Sequence, residues 1–128
     1  MKTSNLFFAL LTSAALAACS STGLRSAGPA TLADGILVGS NGMSLYTFDK
    51  DVAGSGKSVC NGPCAGNWPP LLAEAGATAS GDYSVIVRDD GRQQWAFRGK
   101  PLYYWVKDQK PGERSGDGFN NVWRVARP

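Results

Sequence analysis

From residue 32 onward the chain alternates short apolar runs with turn-forming residues and shows no sustained amphipathic stripe at helical spacing. Ile36, Leu37 and Val38 form one run, followed by Asn41-Gly42, the strongest two-residue hairpin signal. Residues 45–48 supply the return strand. A strand over 84–88 is closed by Asp89-Asp90-Gly91, and a strand over 93–98 turns through residues 98–101. Strands over 102–106 and 122–126 complete the set. Residues 71–79 have room for one short turn of helix, which Gly76 weakens. The pattern predicts a small, all-β, antiparallel domain.

Alternation assigns the side chains to faces. Tyr46 and Phe48 share one face and Leu45 and Thr47 the other; Tyr103 and Trp105 lie opposite Leu102 and Tyr104. Trp95 and Phe97 share a face of the neighbouring strand. Because Tyr104 and Trp105 point in opposite directions, one of these rings is expected to face away from the main core, a candidate contact surface if that face is open; core packing is the favoured fate for each ring.

The pattern occurs twice. Residues 42–51 and 99–108 share the skeleton G-x-x-L-Y-x-(F/W)-x-x-D at a spacing of 57 (99 − 42). The correspondence extends through a glycine loop to a tryptophan: Gly54, Gly56 and Trp68 follow Asp51, and Gly112, Gly116 and Trp123 follow Asp108. The expected domain therefore spans 32–128 and holds two repeats, about 35–72 and about 84–128. Only the first carries the Cys60/Cys64 loop.

The 128 residues suffice for one domain. Residues 1–18 read as an export signal: Lys2 at the start, then an apolar run from Leu6 to Ala18 broken by Thr12 and Ser13. That run is short for a membrane span, which needs roughly 20 apolar residues. Leu16-Ala17-Ala18-Cys19 resembles the lipobox of bacterial lipoproteins. The resemblance implies cleavage before Cys19, a diacylglyceryl thioether on its sulfur and acylation of the new amine. Two or three acyl chains, at about 0.8 kcal/mol per buried CH₂, anchor far more firmly than one. Ser20 rather than aspartate after the cysteine resembles outer-membrane lipoproteins, facing the periplasm. Residues 19–31, the lipidated cysteine and a small, polar, Gly/Pro-punctuated stretch, read as a flexible tether.

With Cys19 lipidated, Cys60 and Cys64 remain. An even remainder in an exported chain points to a disulfide. The intervening Asn61-Gly62-Pro63 is turn chemistry that brings two Cα atoms within bridging range. A redox-active pair is the rival reading, although such motifs more often use C-x-x-C. A metal site is a further rival, but the chain has no histidine to join the two thiols.

The net charge of +3 is dispersed, with lysines and arginines interleaved among aspartates and no basic stripe, so nucleic acid is not an expected partner. The absence of histidine removes the usual base of Ser and Cys nucleophile systems. Neither a G-x-S-x-G elbow nor a phosphate-binding glycine loop is present; Gly54-Ser55-Gly56-Lys57 lacks the spacing. Glu74 and Glu113 lie in loops without a partner for glycosidic acid/base work. Asp49, Asp51, Asp89 and Asp90 do not form a calcium loop. No catalytic residue, cofactor or metal is expected. For Asp51 and Asp108 two readings stand. The carboxylates either line one site that takes a cation or proton, or each closes a strand–loop corner, accepting hydrogen bonds from loop N–H groups and from the hydroxyls of Tyr46 and Tyr103.

These residues resemble the bacterial secreted-repeat lipoproteins, marked by paired Y-x-(F/W/Y)-x-x-D motifs. Residues 46–51 and 103–108 both fit, as do the C-x-x-x-C-A-x-x-W-P-P-L stretch over 60–71 and the D-G-x-x-Q-W run over 90–95. The resemblance covers nearly the whole domain. It implies export, lipid attachment and the duplication, but no activity. The expectation is a lipid-anchored, non-enzymatic binding or structural module of the bacterial envelope. It would be held to the membrane by its lipid and would meet an envelope protein or glycan. The alternative is an envelope redox or electron-transfer accessory using Cys60/Cys64 or a bound cofactor.

Overall fold

The computed structural model describes residues 28–128. The export signal, Cys19 and the tether up to residue 27 lie outside the described residues. The elements in chain order are β1 (Thr31–Ala33), β2 (Ile36–Val38), β3 (Tyr46–Phe48), α1 (Pro63–Asn67), β4 (Tyr83–Val87), β5 (Gln93–Phe97), β6 (Lys100–Pro101) and β7 (Trp123–Val125). They form three small sheets, β1-β2, β3-β7 and β4-β5-β6, and every pairing is antiparallel.

The sheets are joined by an exchange of backbone partners between the repeats. At its centre Tyr46 N–H donates to the Tyr103 carbonyl (2.8 Å) and Tyr103 N–H donates back to the Tyr46 carbonyl (3.0 Å). Outward from this pair the bonds run in equivalents. Tyr46 lies opposite Val125 in the β3-β7 pair, and Tyr103 lies opposite Pro70 in an isolated bridge. Ala126 N–H donates to the Leu45 carbonyl (2.7 Å), and Leu71 N–H to that of Leu102 (2.9 Å). Gly54 N–H meets the Gly99 carbonyl (3.0 Å), and Gly112 N–H that of Gly42 (3.2 Å). Each repeat thus completes its motif strand with the closing segment of the other. A single repeat would leave those backbone groups unpaired.

Alternation then builds two cores. Ile36, Val38, Tyr46, Trp68, Tyr103, Trp105, Trp123 and Val125 point into one, and Leu37, Leu45, Leu71, Phe97, Leu102 and Ala126 into the other. Both strand faces are covered, so neither Tyr104 nor Trp105 supplies an open contact face. Trp105 is 6% exposed and Tyr104 packs half-buried against the second core.

The first core is a stack of rings. Phe48, Trp123, Trp68 and Trp105 follow one another at centroid distances of 4.2, 3.8 and 4.0 Å. Tyr46 meets Trp68 edge-on at 5.2 Å, and Tyr103 meets Trp123 edge-on at 5.1 Å. The two-fold exchange places Trp68 and Trp123 face to face at its middle, which is why both repeats carry that tryptophan. Gly116 lies against the stack: a Cβ there would stand 2.7 Å from Trp68 Cη2 and 3.0 Å from Trp105. Gly116→Ala is therefore expected to lower stability by about 1–3 kcal/mol through overpacking. Urea unfolding checks the size, and the near-ultraviolet circular dichroism of the displaced rings checks the cause.

Several expected elements fall elsewhere. Residues 102–106 alternate as expected but form no continuous strand. Their N–H groups go to different partners, Leu102 to Trp95, Tyr104 to Pro69 and Val106 to Asn67. The strand before them is the two-residue β6. The Asn41-Gly42 return pairs with β2 through a single bridge, Val38 to Ser44, because β3 turns away to pair with β7. The full hairpin lies one turn earlier, at Asp34-Gly35, and recruits Thr31 from the expected tether into β1. The helix is α1 at residues 63–67, with Pro63 opening it as proline does at a first helical position. Residues 71–79 instead extend along β5, with Ala73 N–H on the Gln93 carbonyl, before turning between Glu74 and Ala77.

Candidate functional site: crossed Tyr–Asp pairs and the disulfide loop

The paired motif places one tyrosine in a motif strand and one aspartate three residues past the following aromatic, where the chain leaves the strand. The partner exchange crosses them. Tyr46 Oη donates to Asp108 Oδ2 (2.6 Å), and Tyr103 Oη donates to Asp51 Oδ2 (2.5 Å). Neither hydroxyl bonds the carboxylate of its own motif. The second oxygen of each carboxylate ties down a loop: Val59 N–H donates to Asp51 Oδ1 (2.8 Å), and Ser115 N–H and Oγ donate to Asp108 Oδ1 (3.0 and 2.6 Å). All four residues are buried. The two carboxylates lie in separate corners and line no common cleft. Phe48 and Trp105, the middle aromatics, form the two ends of the ring stack.

Burial raises the Asp51 carboxyl above its usual range, while the Tyr103 hydroxyl, the Val59 N–H and the charge of Arg88 pull it partly back. Both tyrosine hydroxyls are pushed well up, first by burial and then by the carboxylate each one bonds. They remain protonated donors at physiological pH.

The corners differ in what backs them. Behind Tyr46 the Gly116 N–H donates to the hydroxyl (3.3 Å). Behind Tyr103 stands Ser58 Oγ, 2.6 Å from the hydroxyl, leading into a buried polar chain. Arg88 Nη1 donates to Ser58 Oγ (3.1 Å) and Gln94 Oε1 (2.7 Å); its Nη2 donates to the Cys60 carbonyl (2.6 Å) and reaches Asn61 Oδ1 at 3.4 Å. Gln94 Nε2 closes the chain on the Leu102 carbonyl (2.7 Å). Arg88 is 3% exposed, and among the described residues no carboxylate stands within ion-pair distance of it. Oxygens of uncharged groups meet its two terminal nitrogens, its Nε has no partner among the described residues, and its charge acts on Asp51 through space. The sequence reading did not single out Ser58 or Arg88, and it held Gln94 only as the glutamine of the D-G-x-x-Q-W run. Strand parity was the available signal, since Arg88 falls on the face of Ile86, and Gln94 on that of Ala96.

Cys60 and Cys64 form a disulfide, with Cα atoms 5.2 Å apart. Cys60 is fully buried against the first core and Cys64 is partly buried beside it. The bridge ties the loop to the first turn of α1 and fixes the segment that offers Ser58, the Cys60 carbonyl and Asn61 to Arg88. Closing so short a loop contributes about 2 kcal/mol in the chain-entropy model. Cys60→Ser with Cys64→Ser is expected to lower the unfolding free energy from urea titration by that amount, and reductant is expected to do the same to the wild type. A reductant effect on the double variant would mean that something other than this bridge is involved.

Among the described residues no group of three or more acidic, Cys or His side chains is placed to hold a metal ion. No described helix is long and apolar enough to cross a membrane.

No curated protein and no solved structure matches the chain. A family described as a secreted repeat of unknown function matches twice, over residues 28–72 and residues 84–127. These two matches are the halves that exchange backbone partners and cross their Tyr–Asp pairs. The chain belongs to this family of secreted repeats.

Proposed function

We propose that the protein is a lipid-anchored, non-enzymatic binding module of the bacterial envelope, held through Cys19 and presenting its β domain from a tether. The observation that carries this reading is the state of the repeated motif. Both oxygens of Asp51 and of Asp108 are taken by the fold's own donors, and both tyrosines are committed to those carboxylates. The most distinctive residues are spent on holding the repeats together, which leaves recognition to the surface between them. The lipobox-like Leu16-Ala17-Ala18-Cys19 supports the anchor, and Ser20 supports an outer-membrane address facing the periplasm. Envelope proteins, glycans and anionic lipids are the partners within reach of such a domain.

The anchor is tested by the mass of the mature amino terminus and by detergent phase partition. Wild type is expected to carry a diacylglyceryl adduct and enter the detergent phase, and Cys19→Ser to stay in the aqueous phase. An unmodified amino terminus would overturn the anchor.

A further inference from the structure

The duplication supplies a comparison: chemistry present in one copy alone is either buried support, as the Cys60–Cys64 bridge and the Arg88 chain are, or, where it is exposed, answers to something other than packing. By this measure one surface stands out. A cleft of about 410 Å³ opens beside β3, β6 and β7, floored by Phe97 and Val125 and walled by Arg98, Lys100, Arg124 and Arg127. In the other repeat these four cations correspond to Asn41, Met43, Pro69 and Leu72, none of them charged. The cleft beside Ser40, Leu71 and Leu72, on the equivalent segments of the first repeat, has no lysine or arginine on its wall. The scaffold therefore has no need of positive charge here.

Two of the cations are held lightly. Arg98 pairs with Asp82 at 3.5 Å and lies 4.9 Å over the Phe97 ring, and Arg124 pairs with Asp49 at 3.2 Å and donates to the Asn121 carbonyl at 3.2 Å; both ion pairs are exposed, of the kind that contributes little. Lys100 and Arg127 are exposed and take part in no ion pair among the described residues. The acid on the wall, Asp117, is engaged by the Val125 N–H at 3.0 Å. Three guanidinium forks and one ammonium around a recess of this size suit an anion with several oxygens. Guanidinium groups meet phosphate oxygens two at a time, and the volume lies within the range of small-ligand sites.

We propose that this cleft binds a phosphate group. The proposal names the ligand chemistry for the binding module described above and rests on that reading for its setting, though the contact itself needs no acylation. Two sources offer the chemistry, a free phosphate compound and the phosphate of an anionic lipid headgroup.

The test uses the full-length chain in neutral detergent micelles, followed by amide chemical shifts. It is titrated with inorganic pyrophosphate, with succinate, and with phosphatidylglycerol doped into the micelles. Shifts are expected at Thr47, Phe97 and Ala126, with affinity falling as salt rises. The variant Lys100→Ala/Arg127→Ala is expected to bind at least about tenfold more weakly, two charge-assisted contacts being lost. A variant of equal charge change, Lys57→Ala/Lys110→Ala, is expected to bind as wild type. Pyrophosphate and lipid both shifting the cleft supports a phosphate site open to either source; one alone identifies the source. Response to neither overturns the proposal. So does succinate binding as tightly as pyrophosphate, or equal weakening in the two double variants. A chain that is unacylated in cells yet responds here would remove the anchor and leave the cleft.

Discussion

Trp68→Ala is expected to cost the domain about 3–5 kcal/mol, the range for deleting a large buried aromatic. Small domains carry about 5–15 kcal/mol in total, so this one substitution takes the fold near its limit. Trp68 is 3% exposed and touches four rings: stacked on Trp123 and Trp105, edge-on to Tyr46, and tilted against Phe119, with the stack continuing to Phe48 through Trp123. Ring pairs of this kind add stabilisation beyond the area they bury. The cavity cannot close by local collapse, because the neighbours on both sides belong to strands held by the partner exchange. Trp95→Ala, which removes a half-buried ring at the margin of the second core, is expected to cost markedly less. Urea unfolding of the two variants checks the ranking, and equal losses would mean that the stack adds nothing special. Trp123→Phe is expected to weaken the exciton signature to that of the remaining Trp68–Trp105 pair while retaining most of the fold.

The same stack explains what was legible beforehand. Side-chain parity in the motif strands assigned Tyr46, Phe48, Tyr103 and Trp105 to one face and Leu45 and Leu102 to the other, and the two cores divide along that line. Parity is set by the backbone pleat and survives even where a continuous strand does not form, as over residues 102–106. Strand partners were not legible. Asn41-Gly42 fixes a local reversal, but it says nothing of what the outgoing chain meets next, and β3 meets a segment over seventy residues away. The crossing of the Tyr–Asp pairs was hidden for the same reason. Two copies of one motif are consistent with closing on themselves or on each other, and only the exchange of closing segments decides. Core packing of Tyr104 and Trp105 was the favoured reading and holds; the second core that covers Tyr104 was not legible. Asp34-Gly35 was legible and overlooked, because the neighbouring polar residues read as tether.

Arg88→Met is expected to cost about 2–4 kcal/mol, because it strands Gln94 Oε1 and leaves the Cys60 carbonyl only a long contact from Ser58 Oγ, and each unpaired buried acceptor costs about 1–3 kcal/mol. It is also expected to change how stability depends on pH. The folded-state pKa of Asp51 lies above the ordinary value of 3.8, with burial as the main cause. The folded chain therefore holds that proton more tightly than the unfolded chain. The stability this group supplies is complete below pH 3.8 and is lost as the pH rises through the folded-state value. Arg88 eases the ionisation, so its removal raises the Asp51 pKa further and carries the loss to higher pH. Asp51→Asn removes the titration; its carbonyl oxygen can accept from the Val59 N–H while its amide nitrogen donates to Tyr103 Oη, which then turns its own proton to Ser58 Oγ. Its curve is thus flatter. Urea unfolding of wild type, Arg88→Met, Asp51→Asn and the double variant from acid to neutral pH separates the contributions. The difference between wild type and Asp51→Asn should shrink as the pH rises, and the same difference in the Arg88→Met background should go on shrinking to higher pH. Identical pH dependence in the two backgrounds would show that the guanidinium does not act on the carboxyl, and the chain from Gln94 to Asp51 would then be two independent hydrogen-bonded clusters.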